Sequence, residues 1–244
     1  MLSQPLHQAL TDLGMRGMAR AFDQHERCAD IRALDFGDRL ALMLDVEQAE
    51  RANARYAQRL RWAKLGQSAS LEDLDLRTPR GIERTLMTKL GTLAFLDERL
   101  NVLVTGPTGV GKSYLACALG QRACREDKSV RYLRMPRLVD ELVRASAMHK
   151  KGAFYKQLAR VDLIILDDFG LAPLADETQR DLLEILDDRF DRKSTMIVSQ
   201  HPVEQWPVVL DQPALADAIL DRVIHNAHRI ELKGESMRRK KTAK

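Results

Sequence analysis

The octapeptide GPTGVGKS at 106–113 constrains this chain more than any other segment. It satisfies the GxxxxGK[ST] pattern, directly follows the apolar run NVLVT at 101–105, and opens the amphipathic stretch YLACALGQRAC. A strand, a glycine-rich turn and a helix in that order aim backbone N–H groups at one point, where a phosphate fits; the lysine reaches the β and γ oxygens and the hydroxyl ligates magnesium. The spacing therefore predicts that Gly106, Pro107, Thr108, Gly109, Val110, Gly111, Lys112 and Ser113, followed by Tyr114, surround ATP, with Ser113 on Mg2+. A glycine turn without a ligand also satisfies the bare octapeptide, so the context has to decide.

That context is a change of pattern at Asn101. Short apolar runs alternate with amphipathic stretches from there on: NVLVT at 101–105, SVRYLR at 129–134, DLIILD at 162–167, STMIVS at 194–199 and HRIEL at 228–232. Flat apolar runs imply strands buried on both faces, and helical crossovers between them imply a parallel sheet. The expected fold class is α/β, a five-stranded parallel P-loop domain between helices, preceded by a small all-helical domain. Helices are expected over 5–13, 15–28, 36–64 and 82–90. The long one begins a period near 3.6 at Leu40, Met43, Leu44 and Glu47, with Asp35 or Asp38 as its cap. GQSASLEDLDLRTPRG at 66–81 interrupts the helical pattern. The expected division is thus a helical DNA- or partner-binding domain at 1–70, a connecting region at 71–100, the ATPase domain at 101–232 and a basic tail at 233–244.

A P-loop needs an acidic partner at the end of a nearby strand. LIILDD at 163–168 supplies two: Asp167 to hold the magnesium water shell, and Asp168 either to polarise the attacking water or to cap the turn that follows. Ser199, at the tip of the next apolar run, suits a sensor of the γ-phosphate, with Gln200 a weaker choice, although such residues also simply end strands. Three arginines compete to complete the site: Arg222, at the end of a helical stretch, as a residue acting across a subunit interface; Arg189 in DDRFDRK for the same role; and Arg238 in GESMRR in cis.

The formal net charge is +4, from 39 Lys and Arg against 35 Asp and Glu, and its distribution says more than its sum. Residues 51–71 hold five basic and no acidic side chains, 131–160 eight against two, 161–191 two against ten, and 233–244 six against one. Arg51, Arg55 and Arg59 repeat every fourth residue and line one helix face, which suits either DNA phosphates or solvent. In the second block Arg134, Arg137, Lys150 and Lys151 are the expected DNA contacts, with Lys150-Lys151-Gly152 as a loop tip. Cys28, Cys117 and Cys124 form no CxxC pair, which argues for reduced thiols. No run approaches the roughly 18 apolar residues of a membrane span, and MLSQPLHQALTDLG carries no export signal, so no membrane partner and a cytoplasmic location are expected.

Along nearly its full length the chain resembles the IstB-like helper ATPases of insertion-sequence transposons, relatives of the DnaC-type helicase loaders within the AAA+ class. The resemblance runs through LGMRGMARAF at 13–22, DFGDRLALMLDVE, RLRWAKL, the P-loop segment, VRYLRMPRLVDEL, LIILDDFGL, DLLEILDDRF, STMIVSQHPVEQW and ADAILDRVIHNAHRIELKGESMRR. It implies ATP binding, ATP-linked oligomerisation of the chain on duplex DNA, and a transposase whose capture of target DNA is assisted. Carried over by position, it places Lys112, Ser113 and Asp167 at the nucleotide, Asp168 as the catalytic acid, Ser199 as sensor and Arg222 as the trans-acting arginine. The twelve residues after the last strand are too few for the helical lid usual in AAA+ proteins, so a neighbouring subunit or the tail is expected to finish the site. A helicase loader working mainly through protein contacts is the alternative reading. A small-molecule kinase is disfavoured, because no segment offers an acceptor site.

Overall fold

In the computed structural model, residues 3–76, 78 and 80–237 are described, and the chain divides into two compact units, Met1–Gln58 and Arg59–Lys244. The first unit is helical: α1 (Ser3–Asp12), α2 (Arg16–Arg27), α3 (Ala29–Arg32) and the greater part of α4 (Phe36–Ala63). Helix α1 closes in a Schellman turn, with Met15 N–H donating to Leu10 O at 2.8 Å and Gly14 N–H to Thr11 O at 2.9 Å. Asp35 caps α4, its Oδ1 accepting from Asp38 N–H at 2.8 Å. Leu40 and Met43 are half-buried as the period predicts, whereas Leu44 is 43% exposed.

Glu47 on α4 organises this unit. Its Oε2 accepts from Gly17 N–H at 2.7 Å and Met18 N–H at 3.1 Å, and its Oε1 from Arg51 Nε at 2.6 Å. A carboxylate there satisfies orphan donors of the α2 N-terminus and opposes the helix dipole. LGMRGMARAF therefore keeps a helix start that only a partner 30 residues away can cap.

In the second unit, α5 (Arg84–Gly91) and α6 (Ala94–Asp97) lead into the alternating region. There β1 (Asn101–Thr105), α7 (Lys112–Arg125), β2 (Val130–Arg134), α8 (Met135–Ala147), α9 (Lys151–Ala159), β3 (Leu163–Phe169) and α10 (Asp176–Arg189) follow one another. The chain continues through β4 (Ser194–Ser199), α11 (Trp206–Leu210), α12 (Pro213–Ile224) and β5 (Ala227–Glu231). The strands form one parallel sheet in the order β2-β3-β4-β1-β5. Strands β1 and β4 are buried along their whole lengths, which is why their sequences are apolar without alternation. Strand β3 outruns the expected 162–167 because its pairing with β4 shifts register between Leu166 and Phe169. Asp168, at φ +60°, is the irregular residue, and pairing resumes at Phe169 opposite Ser199. Strand β5 begins and ends one residue before the expected 228–232.

One side of the sheet carries the main apolar core, including Leu103, Ile164, Leu166 and Ile197. There the Phe169 and Trp206 rings meet at 4.8 Å between centroids. Arg189, 1% exposed, pins the opposite end of the sheet from within. Its Nη1 donates to Leu158 O at 2.7 Å and Val161 O at 2.8 Å, its Nε to Thr195 Oγ1 at 3.1 Å, and its Nη2 to Ser194 O. Burial pulls its pKa down to about 9, still above neutrality, so the guanidinium stays charged. Cys28, Cys117 and Cys124 are free thiols, the last two buried; burial pushes Cys124 up to about 11.

Hydrogen bonding from Arg51 holds the Glu47 carboxyl below its ordinary 4.5 and outweighs burial, with the Met18 and Gly17 backbone adding to it. A lowered folded-state pKa contributes stability that is complete above 4.5 and is lost as pH falls through the lowered value. We expect Glu47→Gln to melt below the wild type at pH 7. The gap should close as both are titrated below pH 4.5, read by circular dichroism.

Candidate nucleotide site

The chain turns from β1 into α7 through Gly106–Gly111, and α7 starts at Lys112. Lys112 is 8% exposed, its Nζ donating to Gly106 O at 2.7 Å and Pro107 O at 2.8 Å. Arg80 braces the turn from the side: Nη1 donates to Val110 O at 2.9 Å and Nη2 to Asp75 O. Behind the turn runs the segment after β5, with Leu232 N–H on Thr105 O at 2.7 Å and Met237 N–H on Gly109 O at 2.9 Å. Gly109 has φ +86°, and a Cβ there would fall on Ser236, so the turn needs glycine both for its backbone and for this approach.

Beyond the P-loop the structure sorts the expected polar residues. Ser199 is fully buried; its Oγ donates to Phe169 O at 2.7 Å and accepts from His201 N–H at 3.1 Å. Its hydroxyl thus fastens β4 to β3. Gln200 is the residue on the turn, its Oε1 accepting from Thr108 Oγ1 at 2.7 Å. Asp167 is 3% exposed, with Oδ2 accepting from Tyr132 Oη at 2.6 Å and Oδ1 from Asp168 N–H at 2.8 Å. The Asp168 carboxylate turns to Arg134, whose Nε donates to it at 2.6 Å. Among the described residues no group of three or more His, Cys, Asp or Glu converges as a metal cage. The Ser113 hydroxyl, and the Asp167 carboxylate acting through metal-bound water, are oxygen groups of the kind that suit Mg2+, an ion that keeps several waters.

A cavity of ≈ 470 Å³ opens beside the turn, lined by Gln67, Leu74, Asp75 and Arg80 as well as Lys112, Ser113 and Tyr114. The interrupted stretch at 66–81, which reads in sequence as a boundary, is one wall of this cavity. Tyr114 fastens it, exchanging hydrogen bonds with the Ser70 backbone at 3.3 and 3.4 Å. No residue type in that stretch marks it as a wall; only its return to α7 does.

Of the three arginines, Arg189 is spent inside the fold and cannot reach a neighbour, and Arg238 lies outside the described residues. Arg222 is placed at the far end of the sheet from the P-loop: Asn101 Nδ2, at the start of β1, donates to Arg222 O at 3.1 Å. Its guanidinium pairs with Asp187 at 2.6 Å and with Asp221, and lies 5.0 Å from the Phe190 ring centre.

The expected DNA contacts also divide. Arg51 is paired with Glu47; Arg59 with Asp127 at 2.6 Å and Cys124 O at 2.9 Å; Lys151 with Glu177 at 2.7 Å and Asp181 at 2.9 Å. Lys151 is moreover the first residue of α9, a correction to the loop tip expected at 150–152, since the acidic α10 neutralises it in cis. Arg134 is committed to Asp168. Arg55, Arg137 and Lys150 are exposed and have no ion-pair partner among the described residues.

A P-loop on β1, with β4 inserted between it and the acid-bearing β3, defines an AAA+ type nucleotide-binding fold. Comparison with known proteins agrees and is narrower. The chain belongs to the family described as IstB-like ATP binding protein, whose model matches residues 8–244. It is 46% identical over 244 residues to the insertion sequence ATP-binding protein y4pL of Sinorhizobium fredii, covering 100% of both chains. It is 31% identical to the insertion sequence IS21 ATP-binding protein of Pseudomonas aeruginosa, over 87% of this chain and 80% of that one. Among solved structures, DnaI superposes with a TM-score of 0.59 at 22% identity, over 72% of this chain and 94% of that one. The DnaC helicase loader gives 0.53 at 19%, over 68% and 97%. These two likenesses are of fold.

We expect Arg80→Ala to lower the stability of the second unit by about 2 kcal/mol, since it strips a donor from the buried Val110 carbonyl and another from the part-buried Asp75 carbonyl. A urea midpoint equal to that of the wild type would show the brace to be idle.

Proposed function

We propose that this protein is an ATPase that assembles with further copies of itself on duplex DNA when Mg-ATP is bound, and in that state assists the transposase of its insertion sequence. The observation that carries the reading is the placement of Arg222. Five residue steps, about 16–17 Å at roughly 3.3 Å each, separate its anchor at Asn101 from Gly106, the start of the P-loop. Arg222 therefore serves a phosphate only on another copy, and ATP becomes shared between subunits.

In this reading the base end of ATP enters the cavity walled by Gln67 and Leu74, and Lys112 leaves the Gly106 and Pro107 carbonyls for phosphate oxygens. Ser113 and Asp167 would hold magnesium, which would supply positive charge against the phosphate oxygens. Asp168 takes a proton from the attacking water once Arg134 releases its carboxylate. Gln200, rather than Ser199, is the side chain placed to sense the γ-phosphate. Arg222 gives up Asp187 and Asp221 for the charge on the transferring group, and hydrolysis dissolves the shared contact, which resets the assembly. Residues 1–58 act as the DNA- or partner-binding part, 59–100 as a connection that also walls the nucleotide cavity, and 101–232 as the ATPase, with 232–237 against the P-loop. A cytoplasmic location fits, since among the described residues no helix is long and apolar enough to cross a membrane.

Sizing by mass, with and without duplex DNA and a slowly hydrolysed ATP analogue, tests the reading. The wild type should form larger species only with both. Arg222→Ala should stay small and lose about 10³-fold in turnover. If it assembles and hydrolyses normally, the trans role is wrong. Asp168→Asn should retain nucleotide binding while turnover falls about 10²-fold or more.

Charge reversal of Arg55, Arg137 and Lys150 should lower the slope of log affinity for duplex DNA against log salt by about 2–3, if each neutralises a phosphate. An unchanged slope would favour the helicase-loader alternative, in which protein contacts dominate.

A further inference from the structure

Behind Asp167 lies a buried cluster to which the nucleotide reading gives no role. Tyr132, in the middle of β2, is 8% exposed, and its hydroxyl donates to Asp167 Oδ2 at 2.6 Å. The same end of the ring touches the chain at Gly66. A Cβ on Gly66 would lie 2.8 Å from Tyr132 Oη and 2.9 Å from Cζ, and a ring held at Asp167 has nowhere to retreat. Cys117, one helical turn beyond Ser113, is buried at the same place: burial pushes its thiol up, opposed by the Gln67 and Gly66 backbone, while the Asp167 charge adds to the rise. The next residue, Gln67, lines the nucleotide cavity. The hydroxyl end of Tyr132 therefore lies between Asp167 and the stretch that carries Gln67 to the base side of the site.

The two oxygens of Asp167 each have one donor from the chain, Tyr132 on Oδ2 and the Asp168 N–H on Oδ1. One donor on each oxygen stops the carboxylate rotating about its own bond, and each oxygen keeps a lone pair for a metal-bound water. Burial, and after it the bond to Asp167, push the Tyr132 phenol up, so it remains a protonated donor across the working pH range.

We propose that Tyr132 is a positioning residue for the metal–nucleotide complex: its phenol fixes the Asp167 carboxylate for magnesium, and its ring sets the path of the linker that carries Gln67 into the base cavity. The proposal rests on reading Asp167 as the magnesium residue, and extends it to a side chain that meets neither ligand.

The test uses the full-length protein and a fluorescent ATP analogue, titrated with Mg2+ and separately in EDTA. Tyr132→Phe keeps the ring and removes only the donor. The Mg2+ concentration at half-maximal effect should rise about tenfold, the size of one lost charge-assisted hydrogen bond, while affinity in EDTA stays the same. In an Asp167→Asn background, adding Tyr132→Phe should change the Mg2+ dependence no further. Gly66→Ala should weaken the analogue in EDTA as well as with Mg2+, since it displaces the wall that carries Gln67. An unchanged Mg2+ midpoint in Tyr132→Phe, or an equal loss in EDTA, overturns the metal role, and unchanged affinity in Gly66→Ala overturns the linker role. A Tyr132→Phe chain that fails to fold makes the phenol a structural pin and likewise overturns the assignment. Wild-type binding without any Mg2+ dependence overturns the reading of Asp167 itself, and the proposal with it.

Discussion

The nucleotide end of this protein depends on one bend, where β1 stops and α7 starts. The first N–H groups of a helix have no acceptor of their own, and a turn that enters the helix from a buried strand has to present them in a fixed direction. Strand β1 is held between β4 and β5 and buried throughout, so the bend cannot drift. Arg80, Thr108 with Gln200, and the segment 232–237 are then fastened to the turn through Val110 O, the Thr108 hydroxyl, Thr105 O and Gly109 O. These bonds tie the turn to the rest of the second unit.

Charge is sorted by the ends of the sheet. The Asp167 and Asp168 carboxylates lie at the C-terminal end of β3, tied to Tyr132 and Arg134, whereas Arg222 belongs to the end where β1 begins. The basic 131–160 and acidic 161–191 blocks partly cancel within the chain, through Lys151 with Glu177 and Asp181. What remains exposed without an ion-pair partner among the described residues, such as Arg137, Lys150, Lys156 and Arg160, is a smaller basic surface than the count of charges suggests. Like charges left uncompensated in this way favour a polyanion over solvent only where several lie together.

Much of the fold was legible residue by residue. Strands β1 and β4 occupy the expected 101–105 and 194–199, because the middle of a strand buried on both faces is apolar without alternation. The P-loop was legible for a different reason: its glycines and its lysine are dictated by local geometry. The surroundings of a side chain were not legible where they depend on partners distant in sequence. Ser199 and Gln200 are adjacent and both polar, yet one is buried against Phe169 and the other meets Thr108, a difference set by which face of β4 each one ends on. Arg189 and Arg222 both end helices among acidic residues, and only packing makes the first a buried pin and the second half-exposed.

Local pattern alone was thus enough to place the five strands to within about two residues and the glycine turn between the first of them and its helix, because each depends on residues within a few positions of one another. Folding had to decide the strand order, the use of the 66–81 stretch as a cavity wall, the partner of each carboxylate, and the distance between Arg222 and the P-loop of its own chain. Those depend on contacts made across 30 to 120 residues, such as Glu47 with Gly17 and Asn101 with Arg222, and hydrogen bonds of that span leave no periodic trace in the chain that makes them.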